Sequence, residues 1–258
     1  MVNRNNQTLK IATSQFPVSE DIARNMKYIR KHIAEASHLH ANVIHFPEMS
    51  LSGYNTIMKN LDWYTLDKSL DEIKLFAKKY GMYVVLGLHH KNHQSSKSFN
   101  TTQLLSSKGK IVGIYSKQKL YESEKNRFIS KKNFLVYEIN GVKCGFLICY
   151  DSCFPQLFSY YRMQGVKLLF LSYYNAMSTK PKNTMDALME AQFITRATDN
   201  QMYISGSNSS SKYSRMPSSF VRPDGKLTAL KRHIPGILLS DYPEKRLGWV
   251  YDNKVHFT

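Results

Sequence analysis

The sequence is poor in cysteine and in long apolar stretches, and both shortages narrow the class of protein. Its three cysteines, at positions 144, 149 and 153 of 258 residues, form an odd and clustered set. Such a set argues against a disulfide framework and favours a reducing setting. No apolar run of about 18 residues occurs, which excludes a transmembrane helix. The opening residues also lack the apolar core of a signal peptide, so we expect a cytoplasmic protein without membrane association.

Acidic residues are also scarce: 19 stand against 36 basic ones, giving a net charge of +17. Such a charge attracts anions, nucleic acids or acidic surfaces. The basic residues are scattered along the chain in short clusters, however, and no nucleic-acid-binding motif is present. We therefore interpret the charge mainly as a solvated surface. An anionic partner or substrate is the alternative, and nucleic-acid binding is not expected.

The chain also lacks the ligand spacing of a metal site. Zinc sites use paired motifs such as Cys-x-x-Cys with further ligands, and these are absent. A cluster of His89, His90 and His93 lies beside a strand end in a polar loop, which is a weak indication of a metal. We predict neither a metal nor a cofactor.

Apolar segments typical of strands alternate with helical stripes along the whole chain. Strands are predicted at residues 9–16, 42–46, 83–88, 168–172 and 202–206. Hairpins are predicted at residues 101–115, at 134–149 around Asn140-Gly141, and at 219–230. The mixture favours an α/β layered domain with mixed sheets. No break rich in proline, glycine or serine divides the chain, so we predict one domain over residues 1–258.

Helices are predicted between the strands from apolar residues spaced three and four apart. We expect Ser19 to cap the first helix and Gly81 to end the second. A short helix should follow Pro155, and Asn183 should cap the last one.

Three predicted strand ends carry a chemically reactive side chain: Glu48, Lys117 and Cys149. Catalytic groups gather at such edges in α/β enzymes. Together a carboxylate, an ammonium group and a thiol suffice for acyl transfer, in which the thiol attacks, the carboxylate moves protons and the cation holds the oxyanion. Singly, Glu48 can be a turn cap, Lys117 a solvated lysine and Cys149 a small buried hydrophobe. At a strand-to-helix junction we expect a lowered pKa for the Cys149 thiol.

Residues 46–54, 115–120 and 145–155 resemble the three signature blocks of the nitrilase superfamily of carbon–nitrogen hydrolases. The blocks occur in the family's order, and the resemblance extends over nearly the whole chain. It implies a four-layer α-β-β-α sandwich with mixed sheets that usually forms a homodimer, often within larger assemblies. Arg196 and Asn200 match a helix end of the family, and we assign them a structural role.

The resemblance also implies roles for individual residues. Glu48 matches the general base, Lys117 the catalytic lysine and Cys149 the nucleophile. Glu124 falls where many members have a second active-site glutamate. The backbone N–H of Tyr150 would join Lys117 in the oxyanion hole.

Other positions near the site concern the substrate. Tyr173, Tyr174 and Asn175 are candidate pocket residues, with packing as the alternative for each. The chain departs from the family's common residues at four positions or pairs: Lys119, Ser130-Lys131, Cys153 and Gln156. These departures affect the substrate more than the chemistry. We expect an amidase acting on a small carboxamide; a nitrilase, an N-carbamoyl hydrolase or an acyltransferase are alternatives, and an inactive basic binding protein is least favoured.

Overall fold

The computed structural model describes residues 8–176, 185–243 and 247. The first half of the chain forms β1 (Leu9–Gln15), α1 (Ile22–His38), β2 (Val43–His45), α2 (Trp63–Tyr80), β3 (Tyr83–His90), β4 (Phe99–Leu105) and β5 (Ile111–Ser116). The second half forms β6 (Val136–Ile139), β7 (Val142–Ile148), α3 (Pro155–Met163), β8 (Leu168–Tyr173), α4 (Met185–Asn200), β9 (Tyr203–Asn208), β10 (Ser219–Val221), β11 (Leu227–Ala229) and β12 (Gly236–Tyr242).

The strands form two six-stranded sheets: β1 to β5 and β12 form the first, and β6 to β11 form the second. The first sheet has the order β12-β1-β2-β3-β4-β5 and the second the order β11-β10-β9-β8-β7-β6. Both mix parallel and antiparallel pairs: β1, β2 and β3 are parallel neighbours, and so are β7, β8 and β9. The predicted mixed sheets are therefore confirmed.

Alternate residues of the strands supply two apolar cores. Ala12 and Ile44 of the first sheet pack with α1 and α2 on its outer face. Ile11 and Val43 point the other way and join the second sheet in a core that also includes α3 and α4. This period-two alternation puts helices outside and both sheets inside, which confirms the four-layer α-β-β-α sandwich.

The structure confirms the predicted end of α2 and the predicted hairpin at Asn140-Gly141. Gly81 ends α2 with a left-handed φ of 61°, and Asn140-Gly141 joins β6 to β7 with two positive φ angles, as a two-residue hairpin requires. The predicted Ser19 cap is wrong: the Asp21 side chain accepts hydrogen bonds from the first N–H groups of α1. The Asn183 cap lies outside the described residues.

β12 was not predicted. It is the last strand in the chain, yet it pairs antiparallel with β1 in the first sheet. Its side chains are mostly partly buried or exposed, so the apolar alternation that marks the inner strands is weak here. Within the described residues, no helix is both long enough and apolar enough to cross a bilayer.

Candidate active site

Glu48, Lys117 and Cys149 meet at one edge of the sandwich. Glu48 lies in the turn after β2, Lys117 directly follows β5, and Cys149 directly follows β7. Glu48 and Lys117 are 1% exposed, and Cys149 is partly buried. The Lys117 Nζ lies 2.8 Å from the Glu48 Oε1. The structure therefore brings together the three side chains that the sequence singled out.

The turn that carries Glu48 rests directly on β3. A Cβ on Gly87 would lie 2.3 Å from the Pro47 carbonyl oxygen and 2.6 Å from the Met49 nitrogen, so only glycine permits this approach. The Ser50 hydroxyl and the Leu51 N–H both donate to the Gly87 carbonyl. This contact holds Glu48 rigidly over the end of the sheet.

Both carboxylate oxygens of Glu48 accept hydrogen bonds. Oε1 accepts from the Lys117 ammonium and from the Asn100 Nδ2, at 2.8 and 2.7 Å. Oε2 accepts from the Tyr174 backbone N–H at 2.8 Å. Three donors from three different segments therefore orient this carboxylate.

Lys117 bridges two buried glutamates. Its Nζ also lies 2.6 Å from the Oε1 of Glu124, which is fully buried. Glu124 is held in turn by the Tyr54 hydroxyl on Oε1 and by the Tyr121 backbone N–H on Oε2. One ammonium group thus lies between two carboxylates inside a site with almost no solvent contact, where electrostatic interactions are strong.

Cys149, the candidate nucleophile, lies on a strained turn. Cys149 begins a 3₁₀ turn, Cys149–Cys153, and has a left-handed φ of 45°, which is uncommon for a residue with a side chain. The buried Asp151 carboxylate stabilises the turn by accepting from the Ile148 N–H, the Lys119 N–H and the Tyr115 hydroxyl at 2.8–3.0 Å. Burial raises the pKa of Asp151 to about 6.

The electrostatics of the site differ from the expectation for the thiol. Burial raises the pKa of Cys149 well above its usual range, and the charge of Glu48 adds to this effect. The expected lowering is wrong because helix α3 begins only at Pro155, after the 3₁₀ turn, and because buried carboxylates face the sulfur. Burial and the neighbouring carboxylates therefore favour the neutral form of the Cys149 thiol.

The two partners of the ion pair are also shifted. Burial raises the pKa of Glu48, although Lys117 opposes the shift. The pKa of Lys117 lies well above its usual value despite burial, because Glu48, Cys149 and Glu124 favour its charge. The two neighbouring carboxylates therefore favour the ammonium form of Lys117.

The other candidates fall into two groups. Tyr150 follows Cys149 and is partly buried, and Tyr174 lends its backbone to the site, with its carbonyl oxygen 4.0 Å from the Cys149 sulfur. Tyr173 is 1% exposed, and its hydroxyl donates to the Pro217 carbonyl. The Asn175 side chain accepts from Asn208 and from the Arg215 backbone N–H and donates to Met189. The geometry thus favours packing for Tyr173 and Asn175.

Two side chains near the site were not singled out from the sequence: Asn100 and Tyr54. Tyr54 closes the first signature block, so its position was available as a signal. Asn100 lies on β4, and nothing in the sequence distinguishes it from the other polar residues of that strand. Its role depends on the pairing of β4 with β3 and β5, which places His89 opposite Asn100 and Ser116 opposite Thr101.

Arg196 and Asn200 have structural contacts, in keeping with the role assigned to them. The Arg196 Nε donates to the Ser152 carbonyl in the turn that carries Cys149, and Asn200 donates to the Arg196 carbonyl.

Over the described ranges 8–176 and 185–243, no three His, Cys, Asp or Glu side chains are placed to hold a metal ion. His89 is buried and bonds Ser98 through Nδ1.

Residues 10–241 match the model of the carbon-nitrogen hydrolase family. The chain belongs to this family, and the resemblance to the nitrilase superfamily is thereby confirmed. Among solved structures, an amidase from Nesterenkonia sp. AN1, with the acetamide moiety of fluoroacetamide added to its active-site cysteine, superposes with a TM-score of 0.81 at 22% identity. The match covers 94% of this chain and 93% of that one, and it shows the shared fold.

Two curated relatives match over a smaller part of the chain. A probable nitrilase from Schizosaccharomyces pombe is 27% identical over 59% of this chain, and the match spans 58% of that protein. A 2-oxoglutaramate amidase from Bacillus subtilis is 29% identical over 66% of this chain and 64% of its own length. The chain therefore matches less than two thirds of either relative, and neither name gives this protein its substrate.

Proposed function

We propose that this protein is an amidase that hydrolyses the C–N bond of a small carboxamide through a thioester on Cys149. The observation that carries the proposal is the convergence of Glu48, Lys117 and Cys149 from three strand ends, with Glu48 and Lys117 in a buried ion pair. The family and its amidase neighbours support hydrolysis of a C–N bond. The thioester, the pocket residues and the substrate belong to the proposal.

The first half of the reaction forms the thioester. Glu48 takes the proton of the Cys149 thiol as the sulfur attacks the carbonyl carbon, and the electron pair of the C=O bond moves to oxygen. The ammonium group of Lys117 has three N–H donors, and two of them point to Glu48 and Glu124. The third, with the Tyr150 N–H, stabilises the oxyanion. Glu48 then protonates the amide nitrogen, the C–N bond breaks, and ammonia or an amine departs.

The second half releases the acid. Glu48 takes a proton from a water molecule, whose oxygen attacks the thioester carbon. The C–S bond breaks, the sulfur regains its proton, and the acyl group leaves as a carboxylic acid. Because the pKa of Cys149 is raised, the proton of the thiol passes to Glu48 as the sulfur attacks rather than beforehand. No metal or cofactor takes part in this scheme.

Three further expectations from the sequence concern the oligomer, the location and the domain organisation. A homodimer or larger homo-oligomer, a cytoplasmic location and a single domain over residues 1–258 remain predictions. Size-exclusion chromatography with light scattering tests the oligomer directly.

The experiment that tests the function is an ammonia-release assay across small amides, N-carbamoyl compounds and nitriles, with product analysis in the presence of an amine acceptor. We expect release from an amide by the wild-type protein and none by Cys149→Ala. Cys153→Ser, which alters the exposed thiol of the same turn, is the control for non-specific loss of a thiol. Turnover by Cys149→Ala near the wild-type rate would contradict the mechanism.

A further inference from the structure

We infer that Asn100 is a positioning residue that fixes the two oxygens of Glu48 in different roles, with Oε1 anchored and Oε2 facing the thiol. The inference rests on the proposed function, because it assigns the proton of Cys149 to one atom of the proposed base. It stands on the contacts of Asn100, which is fully buried on β4 beside the ion pair.

Asn100 binds both members of the buried pair. Its Nδ2 donates to the Glu48 Oε1 at 2.7 Å, and its backbone carbonyl accepts from the Lys117 N–H at 2.9 Å. The amide orientation follows from chemistry, since the reversed amide would place its oxygen against a carboxylate oxygen. One residue therefore holds the side chain of the base and the backbone of the lysine in register.

The remaining atom of the amide also points to a role beyond packing. Among the described residues, the Oδ1 of Asn100 has no hydrogen-bond partner, although it is buried. A buried polar atom without a partner disfavours folding, so a residue that only filled this space would be apolar. The donated hydrogen bond to Glu48 is what the asparagine supplies here.

The two oxygens of Glu48 accept hydrogen bonds from different donors. Oε1 accepts from both Lys117 and Asn100, which occupies both of its lone pairs. Among the described residues, Oε2 accepts only the Tyr174 N–H, and the carbonyl of the same Tyr174 lies 4.0 Å from the Cys149 sulfur. The second lone pair of Oε2 is thus the one left for the thiol proton. Without Asn100, the carboxylate can rotate and an anchored oxygen is lost.

The hydrogen bond has a measurable consequence because it favours the charged form of Glu48. The titratable groups that act on Glu48 or respond to it are Lys117, Glu124, Cys149, Tyr54 and Tyr174. Asn100 is the neutral donor among these charges. Its removal should raise the pH at which Glu48 loses its proton, and therefore the pH at which Cys149 becomes reactive.

The test uses iodoacetamide as the probe, so that it needs no knowledge of the substrate. In this reaction the thiol proton passes to Glu48, the sulfur bonds to the methylene carbon, and iodide leaves. The rate of alkylation of Cys149 is followed against pH by site-resolved mass spectrometry in a Cys153→Ser background. Asn100→Leu removes the donor and keeps the branched shape of the side chain, and Asn100→Asp replaces the amide with an acid.

We expect the acid limb of the rate profile to move to higher pH by about one unit in Asn100→Leu, a roughly tenfold slower rate at a fixed pH below the limb. It should move further in Asn100→Asp, because two adjacent carboxyl groups hold a proton more tightly. Thr101→Val is the matched control: it loses one buried hydrogen bond, to the Leu88 carbonyl, at the next position of β4. Its limb should not move.

An unmoved limb in both Asn100 variants, with only the melting temperature lowered, would overturn the inference and leave a packing role. If Asn100→Leu does not fold, as judged by circular dichroism, the nearly isosteric Asn100→Asp decides. Glu48→Gln separates this outcome from failure of the proposed function. We expect it to remove the limb that belongs to Glu48 and to leave only the rise at high pH at which the thiol itself ionises. A limb that stays at the wild-type pH in Glu48→Gln would show that Glu48 is not the base at all.

Discussion

The two halves of the molecule contribute to the site in different ways. The half built on the first sheet supplies Glu48, Lys117 and Glu124, which are buried and bound to one another. The half built on the second sheet supplies Cys149, partly buried on a turn with a left-handed φ. The charged cluster is thus complete within one half, whereas the proposed nucleophile comes from the other. The proposed reaction therefore depends on the packing of the two sheets.

The difference shows which forces hold each part. The cluster of the first half is stabilised by charge: an ammonium group between two carboxylates, with neutral donors around it. The turn of the second half is stabilised by hydrogen bonds that a single buried carboxylate, that of Asp151, accepts. Changes in the first half should therefore affect charge balance and stability together, and changes in the second should mainly misplace the sulfur.

The largest effect is expected for Lys117→Met, which breaks the charged half. Two buried carboxylates would then face each other without a cation, which costs about 3–5 kcal/mol of unfolding free energy. Loss of the oxyanion donor should lower kcat by about 10²–10³-fold or more. Urea unfolding and amide turnover measure both effects, and the exposed Lys110→Met is the control.

The sign of the pH dependence sharpens this test. Burial already raises the pKa of Glu48, and the opposing effect of Lys117 is lost in the variant, so the pKa of Glu48 rises further above its value in the unfolded state and the folded state binds more protons. The variant should therefore be less destabilised near about pH 5 than near about pH 8. A loss of stability that does not change with pH would contradict the charge balance proposed for this half.

An intermediate effect is expected for Asp151→Asn in the second half. An amide has one accepting oxygen where the carboxylate accepts from three donors, so the turn should shift and carry the sulfur with it. Hydrogen bonds to a charged group contribute about 1.5–3 kcal/mol each, which predicts a roughly tenfold or greater loss of kcat. Turnover and the iodoacetamide rate measure it, with the exposed Asp71→Asn as the control.

Stability provides a second readout for Asp151. Burial raises the pKa of Asp151 from its usual 3.8 to about 6 in the folded protein. Protonation of this acid therefore stabilises the folded wild-type protein at low pH, and that stabilisation is lost as the pH rises through about 6. Asp151→Asn should lack this slope between about pH 4 and 6. An identical slope in the variant would show that Asp151 does not titrate in this range.

The smallest effect is expected for Tyr54→Phe at the margin of the charged half. The substitution removes the hydroxyl that donates to Glu124 and keeps the ring, which stacks on Tyr174 at 4.6 Å. A single hydrogen bond is worth about 0.5–1.5 kcal/mol, so kcat should fall by about twofold to tenfold. The exposed Tyr64→Phe, measured in the same assay, should not change it. A loss of kcat as large as that of Lys117→Met would show that the hydroxyl does more than orient Glu124.

Much of this architecture could be predicted from local sequence. The hairpin at Asn140-Gly141 and the end of α2 at Gly81 follow from residues that tolerate positive φ. Strands β3, β7 and β8 follow from short apolar runs between turn residues. The predicted cap of α1 was wrong because Ser19 and Asp21 are both capping residues, and only the backbone geometry selects between them.

The surroundings of each reactive group were harder to predict from the sequence. The sequence placed Cys149 at a strand end, but whether its pKa rises or falls depends on which charges face the sulfur. β12 could not be recognised either, because an edge strand with one solvated face has a weak apolar pattern and its partner β1 lies more than two hundred residues away.

The sequence by itself determined the class of fold and the three reactive side chains, because each signature block carries its own turn and its own reactive residue. Only the tertiary structure decided how they work. It set Asn100, Tyr54 and the Tyr174 backbone around the two glutamates, and it surrounded the Cys149 thiol with carboxylates. The physical reason is that these contacts join residues from both sheets and from distant strands, and the electrostatic balance of a buried site depends on those distances.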